Sequence, residues 1–253
     1  MKRIVVKIGS NVLTRDDGTL DVTRMSALVD QMVSLHRDGY EVLVVTSGAV
    51  ACGRSILRPE HNLDGVEQRQ LYSAVGQVSL INHYSQLFRE YGIAIGQVLT
   101  MKKNFEPGVE YDNQRGCIEV MLGNGVIPVI NENDTVCITE LMFTDNDELS
   151  GLVARMAGAD LLIILSNVDG VYRDSIDRSD VIPVIRPGDD VSAFIGKEKS
   201  GAGRGGMLSK CHTALEISAS GIPVLIACGK RENVLTDLVN HPDGVPHTLF
   251  AKE

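Results

Sequence analysis

Short, continuous apolar runs recur along the chain. Each is stopped by small or polar residues and followed by a stretch with helical spacing. Ile4-Val5-Val6-Lys7-Ile8 ends in Gly9-Ser10-Asn11, and residues 42–45 run directly into Thr46-Ser47-Gly48-Ala49-Val50. Further runs at 93–99, 126–130, 161–165 and 222–227 also read as strands, with 248–250 as a closing edge strand. Apolar positions at helical spacing fill 21–38, 67–89, 113–122, 150–157, 207–220 and 233–238. Strands that are apolar throughout and alternate with helices predict an α/β fold: a mostly parallel sheet with helices on both faces. In such sheets ligands bind beyond the carboxyl ends of the strands. Lys7, Ser47, Asn131 and Ser166 all fall at such ends, so four turns are expected to converge on one crevice. Residues 101–112, polar and carrying Pro107-Gly108, read as an irregular binding loop or lid, and 174–191 as peripheral.

The densest polar chemistry lies between 126 and 152. The apolar run ends in Asn131-Glu132-Asn133-Asp134, and a second knot, Asp145-Asn146-Asp147, precedes a helix-like pattern. Surface turns would account for both, because Asn and Asp are common turn residues. Buried in one cleft, the same groups need partners, and a zwitterion or a metal-bound nucleotide supplies them. Lys7 has two readings as well: an edge-strand lysine reaching for water, or a cation aimed at an anion. Ser47-Gly48 is either a helix cap or a turn whose backbone N–H groups receive a carboxylate or phosphate. Gly201-Ala202-Gly203-Arg204-Gly205-Gly206-Met207-Leu208-Ser209-Lys210 matches GxGxxG, but a charged run, and no strand, precedes it. A Walker A loop fails too, because Met207 stands where its lysine is required. A glycine loop feeding a helix, with Lys210 in the first turn, remains. A cation there opposes the helix dipole and points to an anion between them.

Composition narrows the functions. With 253 residues the chain fits one large domain. A formal charge of −9 argues against a sequence-independent nucleic-acid binder, and the absence of Trp against base stacking. No run reaches the ~20 apolar residues of a membrane span, and the apolar N-terminal run is too short for a signal peptide, so a cytoplasmic protein is expected. Five cysteines without a CxxC pair read as reduced, mostly buried thiols, and the histidines form no close metal pair.

Together the motifs Val5–Ser10, Val45–Val50, Ala74-Val75-Gly76-Gln77, Ile127–Asp134, Asp145-Asn146-Asp147 and Gly205-Gly206-Met207 resemble the amino-acid kinase family. Within it they are most similar to the branch acting on L-glutamate. They span nearly the whole chain in the family's order. The resemblance implies a three-layer αβα sandwich and one domain, 1–253. Its N-terminal part would mainly bind the amino acid, and the part from about 160 mainly the nucleotide. It implies ATP-dependent phosphorylation of the glutamate side-chain carboxylate as the first step toward proline, with Mg²⁺ carried mainly by ATP phosphates and water. It also implies a homo-oligomer (dimer or tetramer) and feedback inhibition by proline, for which 101–115 is the expected segment.

By position, Lys7, Lys210 and Asp147 would be catalytic, the carboxylate orienting both lysines. Ser47, Gly48, Asn131, Asp134 and Asn146 would bind substrate. Asp134 suits an ammonium, and the two asparagine amides suit a carboxylate and an ammonium. ATP would meet Lys7, Gly9, Ser166, Asn167 and the run Arg204, Gly205, Gly206, Met207, Leu208, Ser209 and Lys210. Backbone N–H groups at Gly9 and Gly48 would help to neutralise charge. Three departures fall on the nucleotide side: Ser166-Asn167 stands for the family's frequent Thr-Asp, Arg204 for Thr, and Leu208-Ser209-Lys210 for Ser-Thr-Lys. The chain ends at Glu253, which implies a form without the C-terminal PUA domain of many bacterial members. Rival readings are a kinase of the same fold acting on acetylglutamate, aspartate, carbamate or UMP, and a non-catalytic amino-acid sensor. The free amine that the acidic cluster favours disfavours acylated and phosphate substrates, and the two lysines disfavour a sensor.

Overall fold

The computed structural model describes residues 2–137, 143, 145–173, 180–191 and 206–252. Eight strands form one sheet in the order β3-β4-β2-β1-β5-β7-β8-β6. They are β1 (Arg3–Ile8), β2 (Glu41–Val45), β3 (Ile95–Thr100), β4 (Ile127–Glu132), β5 (Leu161–Ser166), β6 (Val184–Ile185), β7 (Val224–Cys228) and β8 (His247–Phe250). Every pairing is parallel except β7 with β8. The expected edge strand β8 is an inner one, because the two-residue β6 pairs along its far side. The helices are α1 (Ser10–Leu13), α2 (Val22–Arg37), α3 (Ala49–Ile56), α4 (Gly65–Arg89), α5 (Val109–Gly123), α6 (Asn146–Ala157), α7 (Met207–Ala219) and α8 (Val234–Asn240).

The period-2 alternation of β1 divides the core. Ile4, Val6 and Ile8 pack with Met25, Leu28 and Met32 of α2, with Leu80, Tyr84 and Phe88 of α4 and with Leu235 of α8. Val5, on the opposite face, packs with Ile118 of α5, Leu149 and Val153 of α6 and Cys211, Ala214 and Ile217 of α7. This is the three-layer αβα sandwich expected. Lys7 shares the face of Val5. Its strand lies in the middle of the sheet, between β2 and β5, so the edge-lysine reading falls away.

The chain leaves β1 for β2 on one side and places β5 on the other. The strand order therefore reverses beside β1, and a crevice opens at the carboxyl ends there. Boundaries differ from expectation in two places that bear on the site. β4 continues through Asn131 and Glu132, because both polar side chains find partners and can be buried in a strand. Residues 101–112 are not a loop: Lys102–Phe105 is a 3₁₀ turn, and α5 starts at Val109, with Pro107-Gly108 marking its start.

Candidate active site

A cleft of about 800 Å³ opens at that reversal point. Lys7, Gly9, Ser47, Gly48, Asn131, Asp134, Asn146, Asp147, Ser166, Asn167 and Lys210 all line it. At its floor, Asp147 bridges two ammonium groups. Lys7 Nζ lies 2.6 Å from Oδ1 and Lys210 Nζ lies 2.9 Å from Oδ2. The three residues are 1%, 4% and 8% exposed for Asp147, Lys7 and Lys210. Two residues 203 positions apart in sequence (210 − 7) thus share one carboxylate. Local structure sets this geometry. Lys7 projects from the end of β1, Asp147 lies in the first turn of α6, and Lys210 lies in the first turn of α7. Asp145 caps α6 by accepting from the Asp147 and Glu148 N–H groups, and it also bonds Ser209 Oγ, tying the two helix starts together.

Burial pushes the Asp147 carboxyl up, but Lys7 and Lys210 together hold it below the usual carboxylate range. Burial lowers the Lys7 pKa, with Asp147 opposing that shift and Lys210 adding to it. The trio carries one net positive charge in a dry floor. That arrangement suits an anion placed between the two ammonium groups.

At the other end, Asn146 Nδ2 donates to Thr46 O at 2.6 Å, Ser47 Oγ at 2.9 Å and Asn131 Oδ1 at 3.1 Å. Asn131 Nδ2 donates to Gln77 Oε1 at 2.9 Å. The expectation that both amides offer N–H groups to a ligand is narrowed: Asn146 Nδ2 is committed to protein acceptors, and one Asn131 N–H holds Gln77 of α4. The Asn146 carbonyl oxygen has no protein partner among the described residues and is placed to accept from an ammonium. Gly48 adopts φ 106°, a left-handed conformation that glycine alone takes easily, and turns the chain into α3. The Gly9 N–H is not available to a phosphate, because it extends the β1–β5 ladder by bonding Leu165 O at 3.2 Å.

Asp134 is buried and paired, and sequence reasoning missed its partner. Arg69 of α4 donates from Nε at 2.6 Å to Asp134 Oδ1, and its Nη2 lies 2.5 Å from that oxygen and 2.6 Å from Glu132 Oε2. Burial raises the pKa of both Glu132 and Asp134, with Arg69 pulling each back. Glu132 Oε1 accepts the Phe143 N–H at 3.1 Å. Ser166 and Asn167, expected to meet the nucleotide, face the cleft from the end of β5. Gly206, Met207 and Leu208 open α7, with Leu208 exposed, and Arg204 and Gly205 lie outside the described residues. The cysteines are free as expected, and burial pushes the thiols of Cys52 and Cys137 up to about 11, which leaves no activated nucleophile there.

The model of the amino acid kinase family matches residues 2–228. The chain belongs to the amino acid kinase family. It is 58% identical over 250 residues to the glutamate 5-kinase of Bacteroides thetaiotaomicron, covering 98% of this chain and 69% of that protein. It is 40% identical over 255 residues to the glutamate 5-kinase of Symbiobacterium thermophilum, covering 97% of that protein. The carbamate kinase of Giardia lamblia bound to AMP-PNP superposes over the whole chain with a TM-score of 0.69 at 18% identity, and the UMP kinase of Ureaplasma parvum with 0.65 at 16%. These two share the fold.

Proposed function

We propose that this chain transfers the γ-phosphoryl group of ATP to the side-chain carboxylate of L-glutamate, giving glutamyl 5-phosphate, the first step toward proline. The observation that carries the proposal is the Lys7–Asp147–Lys210 bridge at the floor of a cleft whose other end holds Asp134 and the asparagine network. It accords with the name shared by the relatives at 58% and 40% identity.

A carboxylate nucleophile is already ionised near neutral pH, so the reaction needs no general base. What remains is alignment and neutralisation of charge on the transferred group. Lys7 and Lys210 approach the phosphoryl oxygens from opposite sides. Asp147 lies between them and fixes the position of both ammonium groups. The attacking carboxylate sits against the α3 start at Gly48 and Ser47. Asp134 and the Asn146 carbonyl take the α-ammonium.

Among the described residues, no group of three or more His, Cys, Asp and Glu is placed to hold a metal ion, and Asp147 is occupied by two ammonium groups. This donor set fits Mg²⁺ carried by the ATP phosphates, where it would neutralise phosphate charge. ATP itself would lie along Ser166, Asn167 and the start of α7.

We also propose a homo-oligomer, and feedback inhibition by proline acting through 101–115. Two contacts support that segment. Lys102 pairs with Glu148 at 2.6 Å, next to Asp147. Phe105 packs edge-on against Phe143, whose N–H is bound to Glu132. No helix among the described residues is long and apolar enough to cross a membrane.

The test is a panel of acids (L-glutamate, L-aspartate, acetylglutamate and carbamate) with MgATP, trapping acyl phosphate as the hydroxamate. Hydroxamate from glutamate at a kcat/KM well above that of the others is expected. A larger value with any other acid would replace the assignment.

A further inference from the structure

The mechanism accounts for the substrate's reacting carboxylate and its ammonium, but leaves the α-carboxylate without a cation. Lys7 and Lys210 are committed to Asp147 and the phosphoryl group. The other cations lining the cleft, among the described residues, are Arg54, Arg58 and Arg69. Arg54 and Arg58 are exposed, the first lying over the Tyr72 ring and the second bonded to backbone carbonyls of its own helix end. Arg69 differs from both. Its side chain is 18% exposed, and it is held on two oxygens that belong to the ends of β4 and the turn after it.

Resting on the glutamate reading above, we propose that Arg69 is a specificity residue that receives the substrate's α-carboxylate, with Glu132 as the post that positions it. The argument is one of charge balance. Glu132 and Asp134 place two carboxylates within 2.6 Å of one guanidinium, and burial raises the pKa of both. Among the described residues the cluster is therefore one positive charge short. An α-ammonium arriving at Asp134 makes up that charge and competes with Arg69 for the same carboxylate. The guanidinium, still tied to Glu132, then meets the α-carboxylate one bond away from the ammonium carbon. An Arg fork suits a planar carboxylate at that position, where a point charge does not. Glu132 keeps the fork from following Asp134 and is itself fixed by the Phe143 N–H. Ligands with an ammonium but no α-carboxylate would leave Arg69 and Asp134 paired to each other and gain little.

The test compares L-glutamate with its α-amide, isoglutamine, which keeps the ammonium and the reacting carboxylate. Binding by calorimetry and kcat/KM by hydroxamate trapping are read in wild type, Arg69→Met and Arg69→Lys. Wild type is expected to prefer glutamate by ~100-fold or more, as a site built for a buried charged partner rejects its neutral analogue. In Arg69→Met the preference should collapse to within ~10-fold, because glutamate loses affinity while isoglutamine changes little and KM for ATP stays put. Arg69→Lys keeps the charge and covers the case in which the methionine variant does not fold; it should retain part of the preference. An equal loss for both ligands in either folded variant, with the ratio unchanged, would reduce Arg69 to a brace for Asp134 and overturn the proposal. If glutamate binds with this preference but forms no hydroxamate, the proposed reaction fails while the assignment of Arg69 stands.

Discussion

Replacing Asp147 by Asn probes the centre of the proposed chemistry, because it changes charge while keeping shape. In the native site one carboxylate separates two ammonium groups at 2.6 and 2.9 Å, all three nearly out of contact with water. Removing one partner of such a buried cluster costs ~3–5 kcal/mol when the remaining charge is stranded. Here a ceiling applies. Lys7 already has a depressed pKa through burial, and losing Asp147 removes the group that opposes that depression. Lys7 can then shed its proton, which from an ordinary lysine pKa costs about 5 kcal/mol at neutral pH, at 1.36 kcal/mol per pH unit. The expected destabilisation is therefore ~3–5 kcal/mol, a fall in Tm of roughly 6–20 °C for a chain of this size. The sign of the pH dependence follows from the directions. Asp147 is held below its usual range, so its contribution is full above pH ~4 and is lost as pH falls through its folded value; the Asn variant should lose that acid-side slope. The variant should also gain more thermal stability from MgATP than wild type does, because the phosphates replace the missing anion. Turnover should drop by ~10³-fold, as one lysine is neutral and neither is aligned. Thermal melts with and without MgATP, together with hydroxamate rates, check all three points. Turnover within a factor of ten of wild type would refute the role given to the bridge.

Three further outcomes are expected. Lys210→Ala should lower kcat by ~10²–10³-fold with a small change in Tm, because Lys7 and Asp147 remain paired; near-normal turnover, measured by product release, would remove Lys210 from the mechanism. Burial raises the Asp134 pKa, so the carboxylate form that binds an ammonium is lost as pH falls toward a value above 3.8. KM for glutamate should therefore climb on the acid side, and Asp134→Asn should give a high KM that no longer varies there, with KM for ATP unchanged. Gly76→Ala should destabilise by ~2–3 kcal/mol or more, read by denaturant melts. A Cβ there would lie 1.8 Å from Ala49 O, forcing α3 and the Ser47-Gly48 turn away from α4. A change under ~0.5 kcal/mol would show that the two helices are not in such close contact.

The parts of this molecule that the chain announces are those whose residue types conflict with their surroundings. A lysine inside an apolar strand, carboxylates and amides at strand ends, and a lysine where a helix dipole disfavours it each signalled a site, and Lys7, Asp147 and Lys210 do meet. Strand and helix order was legible for the same reason, since buried parallel strands read as unbroken apolar runs. What stayed hidden depends on pairing across the fold. The Gly9 N–H looked free because nothing local shows that Leu165 O takes it. Residues 101–112 looked like loop because Pro107-Gly108 marks a helix start as readily as a turn. Arg69 looked like one more charge on a long amphipathic helix, yet a signal was present. The buried face of α4 runs through Ser73, Gly76, Leu80, Tyr84 and Phe88, and Arg69 extends that stripe by one more turn, four residues before Ser73. A charge on the inward stripe of a helix has to meet an opposite charge, and in the fold Glu132 and Asp134 supply it. Periodicity thus signals that Arg69 needs a buried partner, whereas the identity of that partner depends on β4 running two residues further than its apolar run.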